Sequence, residues 1–206
     1  MIQIKIRDLG HEYDGRAVFR SINFCFDGDA LAVTGPNGSG KSTLLRIIAG
    51  LLTPARGGVE LLIDGGVAPR GAVRHAVGLA APDLPLYAEL STRENLLFLT
   101  AARTGRADRD ATQRALSQLG LLDRADDPFG ELSSGLKRRA CLAAAIVHSP
   151  PVLLLDEPCA NLDEEGIRAV RSVMEDQRLH GMLVVATNDS RDAEGFSGKI
   201  DLGVVS

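Results

Sequence analysis

Residues 35–43 read Gly35-Pro36-Asn37-Gly38-Ser39-Gly40-Lys41-Ser42-Thr43, which fits the pattern G-x-x-x-x-G-K-[ST] at every constrained position. The flanks agree with it. Before it, Ala30-Leu31-Ala32-Val33 is a short continuous apolar run, the pattern of a strand covered on both faces. After it, Leu44-Leu45-Arg46-Ile47-Ile48-Ala49-Gly50 reads as a helix closed by a glycine stop. Strand, glycine loop and helix in that order open a parallel α/β unit. Glycines let successive backbone N–H groups turn inward on phosphate oxygens, and the following helix presents its positive end to them. Lys41 is then expected to reach the β and γ phosphates of a nucleotide, with Ser42 ligating Mg2+.

Outward from that loop, two more buried strands are expected, at Val152-Leu153-Leu154-Leu155 and at Met182-Leu183-Val184-Val185-Ala186. The first runs into Asp156-Glu157-Pro158, so two carboxylates stand at the carboxyl end of a strand, where open α/β sheets bind ligands. By itself an acidic pair after a strand is more often a cap or a solvated turn. With a phosphate loop upstream, Asp156 is expected to hold the metal and Glu157 to polarise an attacking water. At the amino end, Ile2, Ile4 and Ile6 share one face, and Ile22, Phe24 and Phe26 alternate likewise, so residues 1–30 read as β structure. Between 85 and 150 leucine and alanine recur at helical spacing. Ser91-Thr92-Arg93-Glu94 and Asp110-Ala111-Thr112-Gln113 fit capping boxes there, and Gly120 is expected to end the second helix.

Composition bounds the rest. The chain has 206 residues, 45% of them hydrophobic, which suits one folded domain and argues against disorder. Its net charge of −4 argues against a nucleic-acid binder, which needs a basic face. Cys25, Cys141 and Cys159 form no C-x-x-C pair and His11, His75, His148 and His180 no ligand spacing, so reduced thiols and no dedicated metal cluster are expected. The alternating start is a strand, not a signal peptide, and no apolar run approaches the roughly 20 residues that span a bilayer. A chain soluble by itself is the expectation. Lys137-Arg138-Arg139 reads as a solvated basic cluster at a helix start, or one facing a partner's nucleotide, and Ile167, Val170 and Met174 as the core face of a helix.

Leu132-Ser133-Ser134-Gly135-Leu136 precedes a helix running to about His148, 23 residues ahead of Asp156 for Ser133. Ser133 alone could be an N-cap, but together with Gly135 it offers a second anion site. In that order the motifs resemble the nucleotide-binding subunit of ABC transporters along nearly the whole chain. The resemblance implies a P-loop NTPase core with a parallel sheet (1–84 and 150–206), an N-terminal antiparallel β subdomain and an inserted α-helical subdomain (about 85–149), all in a single ATP-binding domain over 1–206. It implies ATP and Mg2+ as ligands, Tyr13 stacking on adenine, and a head-to-tail dimer in which Ser133 and Gly135 of one subunit close over ATP on Lys41 of the other. It also implies membrane-spanning partner subunits and a cytoplasmic place on the inner face of the cell membrane. The chain's compact length and the stretch Leu86 to Leu96 resemble the ATP-binding subunits of cytochrome c biogenesis haem exporters.

The match departs from the family at two catalytic positions. Pro82 or Asp83 stands where the family carries a glutamine that contacts magnesium, and Asn188 where it carries a histidine that reaches the γ phosphate. An asparagine amide donates one neutral hydrogen bond there but carries no charge. Slow hydrolysis is the expectation, with an ATP-gated regulatory subunit that scarcely hydrolyses as the alternative, which intact Glu157 speaks against.

Overall fold

The computed structural model describes residues 1–203, apart from the side chains of Arg70 and Ser190. Two long strands, β1 (Ile2–Tyr13) and β2 (Arg16–Phe26), form an antiparallel hairpin. Asp14 and Gly15 close it with φ of 50° and 76°, the double left-handed turn whose twist suits a two-residue hairpin. The inward residues Ile4, Ile6 and Leu9 are almost wholly buried. Then come β3 (Ala30–Thr34), α1 (Lys41–Ile48), β4 (Arg56–Ile63), β5 (Gly66–Val67), α2 (Arg70–Ala76) and β6 (Val77–Ala80). Helices α3 (Thr92–Thr104), α4 (Arg109–Gln118) and α5 (Ser134–Ile146) precede β7 (Val152–Asp156), α6 (Glu164–His180), β8 (Met182–Ala186) and β9 (Gly198–Asp201).

The strands make an antiparallel sheet in the order β2-β1-β4-β5 and a parallel sheet in the order β6-β7-β8-β3-β9. Within the parallel sheet, alternate residues serve two cores. Leu154 and Val184 face the antiparallel sheet and α1, while Leu153, Leu155, Leu183 and Val185 face the helices. That division is why these strands read as unbroken apolar runs, since both faces are covered. Along α6, Val170 and Met174 are buried and Ile167 half-buried, as the stripe predicts.

The parallel register sets the site. Val33 and Asp156 both pair with Ala186, so β3, β7 and β8 end at one level with β8 between the other two. Their outgoing segments, the glycine loop, Asp156-Glu157 and Thr187-Asn188, therefore emerge side by side, at the carboxyl edge where such sheets bind ligands.

Two local expectations need correcting. The helix expected to start at an Asp110 capping box is capped by Asp108, whose carboxylate accepts from Ala111 N–H at 2.8 Å, and Asp110 lies inside its first turn. Strands β4, β6 and β9 were not expected from the pattern; β9 carries one buried residue, Ile200. The Ser91 box does form, with Glu94 N–H donating to Ser91 Oγ at 3.2 Å and Ser91 N–H to Glu94 Oε2 at 2.8 Å. Gly120 follows α4 at φ 61°, in the left-handed geometry of a helix stop. Among the described residues no helix is long and apolar enough to cross a membrane.

Candidate nucleotide site

The glycine loop leaves β3 and enters α1 through Gly40, at φ 95°. A Cβ there would stand 2.4 Å from Val18 Cγ1 and 2.9 Å from Phe19, so both the backbone and the hairpin beneath it exclude any other residue. This pins the helix start against β2 and places Lys41 at the first turn, 7% exposed. Its ammonium donates to the carbonyls of Gly35 at 2.9 Å and Pro36 at 3.3 Å and to Asn188 Oδ1 at 2.6 Å, with Glu157 Oε1 at 3.8 Å. Ser39 Oγ is buried in the same loop without a hydrogen-bond partner among the described residues. An orphaned buried hydroxyl normally signals a missing ligand or water.

A cleft of about 480 Å3 opens over the loop. Asn37, Gly38, Gly40, Lys41, Ser42 and Thr43 form its floor, Asp156 and Glu157 one wall and Tyr13 its rim. Tyr13 sits at the end of the hairpin, 47% exposed, with the His11 ring edge-on behind it at 4.8 Å between centroids. Asp156 is 7% exposed at the end of β7. Glu157 follows it at φ 49°, a left-handed conformation that a non-glycine residue adopts at some cost. Its N–H donates to the Ala186 carbonyl at 2.8 Å and Arg138 donates to its carbonyl, so two neighbouring elements hold the strained residue in place.

Asn188 meets the site with its oxygen toward Lys41, and its amide nitrogen donates to Asn37 Oδ1 at 2.5 Å. Pro82 and Asp83, at the glutamine's place, do line the cleft, and Asp83 is ion-paired with Arg46 of α1. Ser133 and Gly135, expected over a partner subunit's nucleotide, do not line this chain's own cleft; Ser133 Oγ caps α5, accepting from Leu136 N–H at 3.3 Å. The basic run is half-buried at Lys137 and Arg138 and buried at Arg139, and each member bonds within the chain. Lys137 donates to the Gly130 carbonyl at 2.7 Å, Arg138 serves Glu157, and Arg139 is buried against the Leu119 carbonyl and Glu165. The roles of Asn37, Arg138 and the Arg46–Asp83 pair were missed, because each contact joins residues distant in sequence.

Burial, with Asp192 beside it, pushes the Cys159 thiol up to about 12, and burial also raises Cys141. Neither is a thiolate nucleophile at neutral pH. The three thiols are unpaired. Among the described residues no three His, Cys, Asp or Glu side chains gather as a metal cage. A cleft offering one hydroxyl, one buried carboxylate and a phosphate cradle suits a hard ion bound partly through substrate oxygens.

The sequence profile of the ABC transporter family matches residues 19–160. The chain is 38% identical over 207 aligned residues to the cytochrome c biogenesis ATP-binding export protein CcmA of Brucella melitensis, covering 99% of this chain and 94% of that protein. It is 42% identical to the same-named protein of Mesorhizobium japonicum, covering 91% and 92% respectively. A solved ATP-binding subunit of an ABC transporter superposes with a TM-score of 0.81 at 28% identity, over 97% of this chain and 86% of that one. On the profile match and on relatives aligned along nearly their full length, the chain belongs to the ABC transporter family, as one of its ATP-binding subunits.

Proposed function

We propose that this chain binds and hydrolyses ATP to power a membrane exporter of the cytochrome c biogenesis kind for which its relatives are named, with haem as the cargo the resemblance implies. The observation that carries the reading is the convergence of Lys41, Ser42, Asp156 and Glu157 on one cleft, with Tyr13 at its rim. Adenine stacks on Tyr13, the glycine-loop backbone from Gly35 to Thr43 cradles the phosphates, and Lys41 spans the β and γ groups. Ser42 and Asp156 hold Mg2+, which when bound neutralises charge on the phosphate oxygens. Glu157 orients the water and accepts its proton as the terminal phosphoryl leaves. Asn188 stands beside Glu157 and Lys41, its backbone N–H donating to Glu157 Oε2 at 3.4 Å.

The site is completed by a second ATP-binding subunit, docked head to tail so that its Ser133 and Gly135 cover the nucleotide. What supports this is the freedom of Gly135: a Cβ there would meet only Leu162 at 3.7 Å and the Asn161 carbonyl at 3.9 Å, ordinary contacts. Nothing within the chain demands glycine at that position. Membrane-spanning subunits complete the exporter, and the exposed, edge-stacked pair Tyr87 and Phe98, 5.5 Å apart, offers them an apolar face. The chain then works in the cytoplasm, held peripherally on the inner face of the membrane. The regulatory alternative gains nothing from the relatives, which are named as ATP-binding export proteins.

Size-exclusion chromatography of Glu157→Gln tests the assembly. The amide keeps the shape but cannot take the proton, so ATP and magnesium trap a dimer that ADP does not. A monomer under every condition, with wild-type turnover, would leave Glu157 a structural residue only.

A further inference from the structure

Lys41 has three ammonium protons, and the protein takes all three: the Gly35 and Pro36 carbonyls accept two and Asn188 Oδ1 accepts the third at 2.6 Å. The orientation of the Asn188 amide is fixed by chemistry. Only an oxygen can face an ammonium, and the nitrogen thereby turned away donates to Asn37 Oδ1 at 2.5 Å. One side chain thus bridges the lysine and the tip of the phosphate loop. It does so beside Glu157, whose carboxylate oxygens lie 3.8 Å from Lys41 Nζ and 3.4 Å from Asn188 N–H. The Asn188 oxygen and the carboxylate assigned to the attacking water are thus both neighbours of Lys41 Nζ, so a terminal phosphate held by Lys41 beside Glu157 would compete with the amide.

We propose that Asn188 is a latch that stands in for the γ phosphate, holding Lys41 and closing the loop until a triphosphate displaces it. The inference rests on the nucleotide reading above and adds a discrimination that reading does not contain. A diphosphate can bind through its β phosphate and the loop backbone while the latch stays closed. A triphosphate must break Asn188–Lys41, and the Asn188–Asn37 bond with it, before its terminal group can bind. The latch taxes ATP selectively, and the carboxamide is suited to it because it presents an acceptor and a donor together.

The test is the ratio of ADP to ATP dissociation constants, measured by displacement of a fluorescent nucleotide in EDTA so that no hydrolysis intervenes. Removing one charge-assisted bond that water partly replaces should favour ATP over ADP by about fivefold in Asn188→Ala. Asn37→Ala leaves residue 188 in place but removes its second anchor, and should shift the ratio the same way by about twofold. Should Asn188→Ala not fold, Asn37→Ala carries the test alone. A ratio unchanged in the folded variants, or moved toward ADP, overturns the latch. Failure of the wild type to bind either nucleotide, with magnesium present as well as in EDTA, would instead overturn the nucleotide reading itself.

Discussion

Replacing Lys41 with alanine removes the buried cation on the floor of the phosphate cleft. In the folded chain its ammonium makes three hydrogen bonds and stands 3.8 Å from Glu157. The groups it leaves behind are the Gly35 and Pro36 carbonyls, the Asn188 amide oxygen and the Glu157 carboxylate, all on residues that are exposed or only half-buried and so open to water. The cost to folding is therefore small, about 1 kcal/mol or less. Binding suffers far more. Hydrogen bonds to charged groups contribute about 1.5–3 kcal/mol each, and Lys41 is assigned to both the β and γ phosphates. Because those bonds replace ones already made inside the protein, we take about 3–4 kcal/mol as the net loss, two to three orders of magnitude in affinity. The assay pairs a fluorescent-nucleotide titration with thermal melts. ATP at a hundredfold its dissociation constant stabilises the wild type by about 2.7 kcal/mol, a rise of roughly 5–10 °C for a chain of this size. Lys41→Ala should melt near the wild type without ATP and rise by no more than about 1–2 °C with it. Unchanged affinity together with unchanged turnover would refute the assignment of the loop.

Gly40→Ala should cost about 2–4 kcal/mol, combining a left-handed backbone with overlap against Val18 and Phe19; an unchanged urea midpoint would contradict that packing. Gly135→Asp should fold as the wild type does, because its surroundings admit a side chain, yet lose the ATP-dependent dimer, and sedimentation velocity checks both. Burial, with Arg103 nearby, holds His148 down at about 4 against 6.5 for a free imidazole. Below pH 6.5 the unfolded chain takes up that proton while the folded chain does not, so stability falls between pH 6.5 and about 4 and levels off beneath. For a half-buried ring the loss is about 1–2 kcal/mol, and His148→Gln should flatten that part of a stability profile measured by denaturant at stepped pH.

How much of this was legible in the sequence depends on how local each signal is. The loop from Gly35 to Thr43, the strands ending at Asp156 and Ala186 and the Ser91 cap declare themselves within a few residues, and the structure places them as read. Strand β9 does not, because a single apolar side chain makes no alternation and its partner β3 lies more than 160 residues away. Strand β6 is four residues interrupted by Gly78. The cap of α4 was displaced to Asp108 because two aspartates compete at that turn and local pattern cannot rank them. At the site, residue identity announced Lys41 and Glu157 but not what they touch. That Asn188 accepts from Lys41, or that Arg138 and Arg139 are spent on Glu157 and Glu165, follows only once β7, β8 and α5 are folded together.

Lys41, Ser42, Asp156 and Glu157 line one cleft and are proposed to form one ATP-hydrolysing centre. It is tested most directly by phosphate release from ATP at saturating nucleotide, with and without magnesium, for the wild type and Glu157→Gln side by side. Magnesium-dependent turnover is expected in the wild type, with a loss of at least about a hundredfold in the variant, the range of general-base assistance, and nucleotide affinity retained. Equal turnover in the two proteins, or turnover indifferent to magnesium, would contradict it.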